Sequence, residues 1–205
     1  MSDYQFTHDW FAQAEQVWPQ LIPHLPGEGV RDFLEIGSFE GRSSVWIVEN
    51  MLRDGDTLTC VDTWQGGEEH SAEDMAAVEA RFDHNMAVLE KAYPQRGVFK
   101  HKGTSTFMLG GDLYHDPDPK CRPSYDFIYI DGSHIAKDVL TDACMAWPLL
   151  NPKGMMVFDD YMWGNPRDVL HRPKAAIDAF CNIFAEEVDI IHIGYQAVVR
   201  KRGEG

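Results

Sequence analysis

The chain has 205 residues, and its 18 Lys and Arg against 33 Asp and Glu give a formal net charge of −15. A hydrophobic fraction of 44% is enough for a sizeable core and excludes disorder as the main state. The acidic balance argues against a general nucleic-acid binder and against an anionic membrane surface as partner, because both attract Lys and Arg.

The sequence favours an intracellular domain. No stretch approaches the roughly 20 apolar residues that span a bilayer, and the first residues lack the pattern of a signal peptide. The four cysteines are widely spaced and form no C-x-x-C pair, which favours a reducing compartment. We therefore expect a cytoplasmic protein with one domain over residues 1–205, no nucleic-acid or membrane partner, and a homodimer as an open alternative to a monomer.

Short apolar runs alternate with helical patterns along most of the chain. Residues 1–30 carry apolar positions at near-helical spacing and predict a docked N-terminal helical segment. Strands are predicted at 33–36, 57–61, 97–100, 126–130, 154–158, 188–193 and 195–200. Helical spacing is strongest at 43–52, 75–89, 139–150 and 173–184. This alternation predicts an α/β fold with a mostly parallel sheet covered on both faces.

Residues 64–92 are longer than a bare crossover requires. Trp64, His70 and His84, with a glycine pair, fit a lid over a substrate. An ordinary surface helix preceded by a loop explains the same residues equally well.

Acidic residues or a glycine follow four of the predicted strands. These are Gly37, Asp62, Asp131 and the pair Asp159-Asp160. The carboxyl ends of parallel strands meet at one sheet edge, where ligands of such folds bind. Carboxylates gathered there repel one another unless something compensates their charge. The sequence therefore predicts a functional site at this edge.

The loop after the first strand reads Glu35-Ile36-Gly37-Ser38-Phe39-Glu40-Gly41. It fits neither the dinucleotide fingerprint G-x-G-x-x-G nor a phosphate-binding P-loop. Its E-x-G-x-x-x-G pattern resembles the first motif of class I S-adenosylmethionine (SAM)-dependent methyltransferases, although a plain strand–helix turn would use the same glycines. The resemblance implies a Rossmann-like, doubly wound, seven-stranded, mostly parallel sheet with an antiparallel last strand.

The same resemblance implies which residues bind SAM. Asp62 corresponds to the family's ribose-binding acid. The residues after the third strand correspond to its adenine contact, and Asp131 corresponds to its catalytic motif. The implied cofactor-binding residues are Glu35, Gly37, Ser38, Gly41, Ser43, Asp62, Thr63, Trp64, Gly103, Thr104, Ser105 and Asp131.

Two further runs, Ile130-Asp131-Gly132-Ser133-His134 and Val157-Phe158-Asp159-Asp160-Tyr161, bring carboxylates and a histidine to adjacent strand ends. Hard divalent cations such as Mg²⁺ prefer oxygen ligands of this kind. The runs resemble the small metal-dependent O-methyltransferases of the catechol and macrocin types. That resemblance implies a metal on Asp131, Asp159 and Asp160, with Asp131 and His134 as catalytic residues and His134 as the general base. Loop capping by the aspartates and simple packing of His134 are the structural alternatives.

Together these observations predict a SAM-dependent methyltransferase that methylates a hydroxyl of a small molecule, a sugar or an aromatic, with divalent-metal assistance. Two alternatives stay open at this stage. One is metal-dependent hydroxylase-like chemistry on the same fold, and the other is a non-catalytic SAM-binding module.

Overall fold

A single seven-stranded sheet organises the chain. A computed structural model describes residues 3–67, 74–114, 118 and 121–203. The strands are β1 Asp32–Ile36, β2 Thr57–Asp62, β3 Gly97–Lys102, β4 Tyr125–Ile130, β5 Leu150–Phe158, β6 Val188–Ile193 and β7 Ala197–Lys201. Their order across the sheet is β3-β2-β1-β4-β5-β7-β6.

Chain direction divides the sheet into two parts. Strands β1 to β5 pair in parallel, whereas β7 runs antiparallel to both β5 and β6. The order reverses between β1 and β4, which places the topological switch point beside the carboxyl end of β1. The predicted fold class, a doubly wound and mostly parallel sheet with an antiparallel last strand, is confirmed.

Helices cover both faces of the sheet. They are α1 Ala14–Val17, α2 Arg42–Asn50, α3 Met75–Ala92, α4 Ser105–Tyr114, α5 Ala136–Ala146 and α6 Lys174–Ile183. Short 3-10 turns occupy Trp10–Gln13, Trp18–Gln20, Ile22–His24 and Trp147–Leu149. None of the described helices is both long and apolar enough to cross a membrane.

The core consists of two apolar layers, one on each face, because side chains alternate along every strand. In β4, Ile128 and Ile130 pack with α4, α5 and α6, whereas Phe127 and Tyr129 pack with α2, α3 and the N-terminal segment. All six residues of β4 are buried, as expected for a central parallel strand. This rigid centre fixes the position of the residues that follow it.

The N-terminal segment and α3 lie on the same face. Trp18 is fully buried there against Phe127 and Tyr129. Helix α3 buries Val78 and Phe82 in the same layer, so it is a packed crossover helix. His70, which the lid hypothesis invoked, lies outside the described residues, and Trp64 is buried against Phe82.

Candidate active site

The carboxyl ends of four strands are joined by backbone hydrogen bonds. Gly37 donates to the carbonyl of Val61 at 2.8 Å, Asp131 donates to Ile36 at 2.7 Å, and Asp159 donates to Ile130 at 3.0 Å. The ladder therefore continues one residue beyond β1, β4 and β5. As a result, the predicted residues after these strands stand side by side at one edge, as the sequence indicated.

Gly37 is required where β1 meets β4. Its φ of +87° lies in the left-handed region, and a methyl group added to it would lie 2.0 Å from the carbonyl oxygen of Asp131. Only glycine permits both this conformation and this approach of two backbones. The close contact brings the backbones that follow β1 and β4 together at the start of the loop.

Asp62 holds that loop in place. Its carboxylate accepts hydrogen bonds from the amides of Ser38 and Phe39, both at 2.9 Å, and from the amide of Trp64 at 2.7 Å. The buried indole of Trp64 donates in turn to the Phe39 carbonyl at 2.9 Å. Asp62 and Trp64, both predicted to bind cofactor, thus also shape the glycine loop.

Glu35 lies beneath the same loop and is fully buried. Its Oε2 accepts hydrogen bonds from the hydroxyls of Ser38 and Ser44, whereas its Oε1 has no hydrogen-bond partner among the described residues. Burial raises the pKa of Glu35, against the lowering effect of the serine hydroxyls. Gly41 (φ +79°) then starts α2, whose first turn contains the buried Ser43.

The segment after β3 adjoins Asp62 through a backbone hydrogen bond of 2.9 Å from Gly103 to the Asp62 carbonyl. Thr104 caps α4 through its hydroxyl, and the Ser105 hydroxyl donates to Asp142 of α5 at 2.5 Å. Thr63 is half-buried at the start of the neighbouring loop. The residues predicted to contact adenine are therefore next to the predicted ribose acid.

Asp131 and Asp159 are linked by one buried phenol. Tyr129 hydrogen-bonds to Asp131 at 3.0 Å and also to Asp159. The Gln196 amide donates to Asp159 at 2.9 Å and accepts at 2.8 Å from the indole of Trp18. Burial, followed by the negative charges of Asp159 and Asp160, raises the pKa of Asp131 well above its usual range.

His134 pairs with the third carboxylate. Its Nε2 lies 2.5 Å from Oδ2 of Asp160, whose Oδ1 accepts a hydrogen bond from Tyr195 at 2.8 Å. The Trp163 ring packs on the imidazole at 4.0 Å between centroids. Asp160 itself has a φ of +57°, a strained backbone for a non-glycine residue. The three carboxylates thus fall into two networks, one around Tyr129 and one around His134.

Among the residues that the structure describes, no three His, Cys, Asp or Glu side chains form a group arranged to hold a metal ion. The three-carboxylate metal site therefore stays a prediction. Tyr129, Gln196 and Tyr195 were not predicted as site residues from the sequence. Tyr129 carried a usable signal, since a strand residue two positions before Asp131 shares its face.

Comparison with known proteins agrees with this geometry. A family profile described as a methyltransferase domain matches residues 34–161, more than half of the chain. The chain belongs to the methyltransferase-domain family. The resemblance read from the E-x-G-x-x-x-G loop is thereby confirmed. No curated protein matches the chain significantly by sequence.

Solved structures similar to this methyltransferase include two described as O-methyltransferases and one described as a methyltransferase. The O-methyltransferase TomG of tomaymycin synthesis from Streptomyces achromogenes, in complex with SAM, is 16% identical, with a TM-score of 0.67 over 96% of this chain and 82% of its own. An O-methyltransferase from Bacillus cereus, in complex with SAH, is 18% identical, with a TM-score of 0.57 and coverages of 96% and 84%. MycE of mycinamycin biosynthesis, in complex with Mg, SAH and mycinamycin VI, is 14% identical, with a TM-score of 0.58 over 98% of this chain and 51% of its own. At these identities the likeness shows the fold.

Proposed function

We propose that this methyltransferase transfers the methyl group of SAM to a hydroxyl of a small molecule, a sugar or an aromatic. The observation that carries the proposal is the row of strand ends in which the glycine loop, Asp62, Asp131 and the His134–Asp160 pair occupy one edge. Structures of similar fold that are described as O-methyltransferases in complex with SAM or SAH support it.

The cofactor is proposed to lie along the glycine loop. Its amino acid part would approach Gly37 and the Oε1 of Glu35, which has no hydrogen-bond partner among the described residues. Its nucleoside would lie between Asp62 and the Gly103–Ser105 segment. The Asp62 carboxylate accepts three backbone amides, and a carboxylate has about four acceptor positions. One position is therefore left for a ribose hydroxyl without loss of the loop contacts.

Asp131, Asp159 and Asp160 form an acidic cluster whose oxygen ligands suit a hard divalent cation. Asp131 and Asp159 present only oxygen atoms, and the raised pKa of Asp131 reflects burial and uncompensated negative charge. We propose Asp131 and Asp159 as its principal ligands, with Asp160, whose amide donates to the Asp159 carboxylate, as the third. When bound, such a cation lowers the pKa of a hydroxyl and orients it.

His134 is proposed as the general base. Asp160 fixes one ring nitrogen and Trp163 fixes the ring plane, so the imidazole is held in one orientation. During transfer the S–CH₃ bond of SAM breaks as an O–CH₃ bond forms. The hydroxyl proton passes to His134 and SAH leaves.

The test begins with calorimetric titration of SAM, followed by radiolabelled methyl transfer across a library of sugars and phenols with Mg²⁺ or with EDTA. We expect SAM binding and transfer that EDTA abolishes. Asp131→Asn and Asp159→Asn should lose the response to Mg²⁺, and His134→Ala should lower kcat about 100-fold or more. Asp189→Asn, which removes a partly exposed carboxylate of β6 that pairs with Arg202, is the matched control.

Each outcome decides between the readings. Absence of SAM binding overturns the methyltransferase proposal. Full activity in EDTA would overturn the role of the metal but would leave the methyl-transfer proposal in place. Binding of SAM without transfer across the library favours a non-catalytic module.

A further inference from the structure

Two arginines are buried in the described part of the chain, and they differ in their partners. Arg31, 4% exposed, forms an ion pair with Asp56 at 2.6 Å. Arg172, 8% exposed, forms no ion pair or hydrogen bond with any described residue, and its Nε is sealed from solvent. Buried charges in proteins are normally paired, because an uncompensated one is costly to desolvate. Arg172 therefore lacks a partner that its burial demands.

The neighbours of Arg172 show the opposite pattern. His171 lies 2.8 Å from Asp168, and Lys174 lies 2.7 Å from Asp178. All four of these side chains are at least one-third exposed, where an ion pair contributes little. Among the described residues, His171 and Lys174 each pair with a carboxylate, whereas the buried Arg172 between them pairs with none.

The segment that carries Arg172 forms a wall of the candidate active site. It begins after Asp160, and Trp163 packs on His134 at 4.0 Å. Gly164 turns the chain back, so a methyl group added to it would lie 3.4 Å from Cβ of Arg172. The amide of Ala136, two residues after His134, donates to the Leu170 carbonyl at 3.0 Å. The segment therefore contacts both the His134 ring and the backbone two residues after it.

We propose that Arg172 binds an anionic group of the methyl acceptor, a carboxylate or a phosphate. A guanidinium offers a planar fork of donors that matches either group in a bidentate manner. A bound anion would supply the missing countercharge and would orient the acceptor beside His134. This inference names a property of the acceptor and so rests on the proposed function.

The experiment follows anion binding directly. The Nε–Hε resonance of Arg172, assigned by its loss in Arg172→Gln, is monitored by NMR while benzoate, its neutral counterpart benzamide, or inorganic phosphate is added up to tens of millimolar. We expect saturable shifts with benzoate or phosphate and none with benzamide. The benzoate and phosphate arms tell which anion the site prefers. The resonance of Arg202, an exposed arginine paired with Asp189, should not move.

Thermal unfolding gives the second measurement. The preferred anion should raise the Tm of the wild type and of Arg202→Gln, whereas Arg172→Gln should bind it about 10-fold more weakly or worse. Equal shifts with benzoate and benzamide, no shift with any probe, or an undiminished Tm gain in Arg172→Gln would each overturn the inference. None of these results depends on SAM, so failure of SAM binding would refute the proposed function separately.

Discussion

Buried charges are arranged differently at the two ends of the strands, the amino edge of the sheet and its carboxyl edge. At the amino edge, Asp56 accepts hydrogen bonds from Arg31 and from the Arg53 amide. Burial alone would raise the pKa of Asp56, but these donors outweigh it and lower that pKa. At the carboxyl edge, burial and neighbouring carboxylates raise the pKa of Asp131 and of Asp159.

This difference separates a structural region from a functional one. Every charge at the Arg31–Asp56 pair has a partner of opposite sign, so the pair stabilises the fold without a ligand. The carboxyl edge gathers like charges around Tyr129, and in the adjoining wall Arg172 has no ion-pair or hydrogen-bond partner among the described residues. Groups with perturbed pKa values, such as Asp131 and Asp159, cluster at functional sites. A bound ligand can compensate their charge.

The largest expected effect is at the amino edge. Arg31→Met leaves Asp56 buried without its arginine, and loss of one member of a buried pair costs about 3–5 kcal/mol. Urea unfolding monitored by circular dichroism measures the change. Arg53→Met is the control, since its half-exposed side chain makes a longer contact of 3.4 Å with Asp56 and should cost much less.

Gly37→Ala should have the next largest effect. The methyl group would require a left-handed alanine and would collide with the backbone of Asp131, costing about 3 kcal/mol in the free energy of unfolding. Gly55→Ala is matched to it, because Gly55 has a φ of +94° but an added methyl group would meet only the Val30 side chain, at an ordinary contact distance of 3.7 Å. The control should lose about 1–2 kcal/mol from the backbone conformation alone. Equal losses would show that the Gly37–Asp131 contact is not tight.

Much of this arrangement was predictable from sequence. The run 126–130 predicted a strand, and the residues after four strands predicted one functional edge. Helix α4 was missed because Gly110 and Gly111 weaken its helical pattern. The hydrogen bonds of Gln196 and the burial of Arg172 were not predictable, because they depend on residues distant in sequence. Likewise, a strand-end Asp62 reads as a ligand-binding acid, and only the structure shows it fixing the loop.

A smaller effect, dependent on pH, is expected at Asp142. Burial raises its pKa to about 6, although the Ser105 hydroxyl hydrogen bond opposes the shift. The native state then binds this proton more tightly than the unfolded state, whose Asp pKa is about 4. Stability from this group is therefore present below about pH 4 and is lost as the pH rises through about 6.

Asp142→Asn should remove that dependence. The free energy of unfolding of the variant should exceed that of the wild type by about 2–3 kcal/mol above pH 7, and the gap should close towards pH 4. Urea unfolding across this range measures it. A gap that stays constant with pH would mean that Asp142 titrates normally in the folded protein.

The smallest expected effect, and the one that tests the comparison most directly, is Arg172→Met. Both Arg31→Met and Arg172→Met remove a buried guanidinium, but only the first leaves a carboxylate behind. Arg172→Met should therefore leave the free energy of unfolding unchanged or raise it by up to about 1 kcal/mol, since a buried unpaired charge is replaced by an apolar chain of similar length. Urea unfolding of both variants in anion-free buffer measures the contrast. A loss for Arg172→Met as large as that for Arg31→Met would mean that Arg172 stabilises the fold itself, and the two edges would no longer differ in kind.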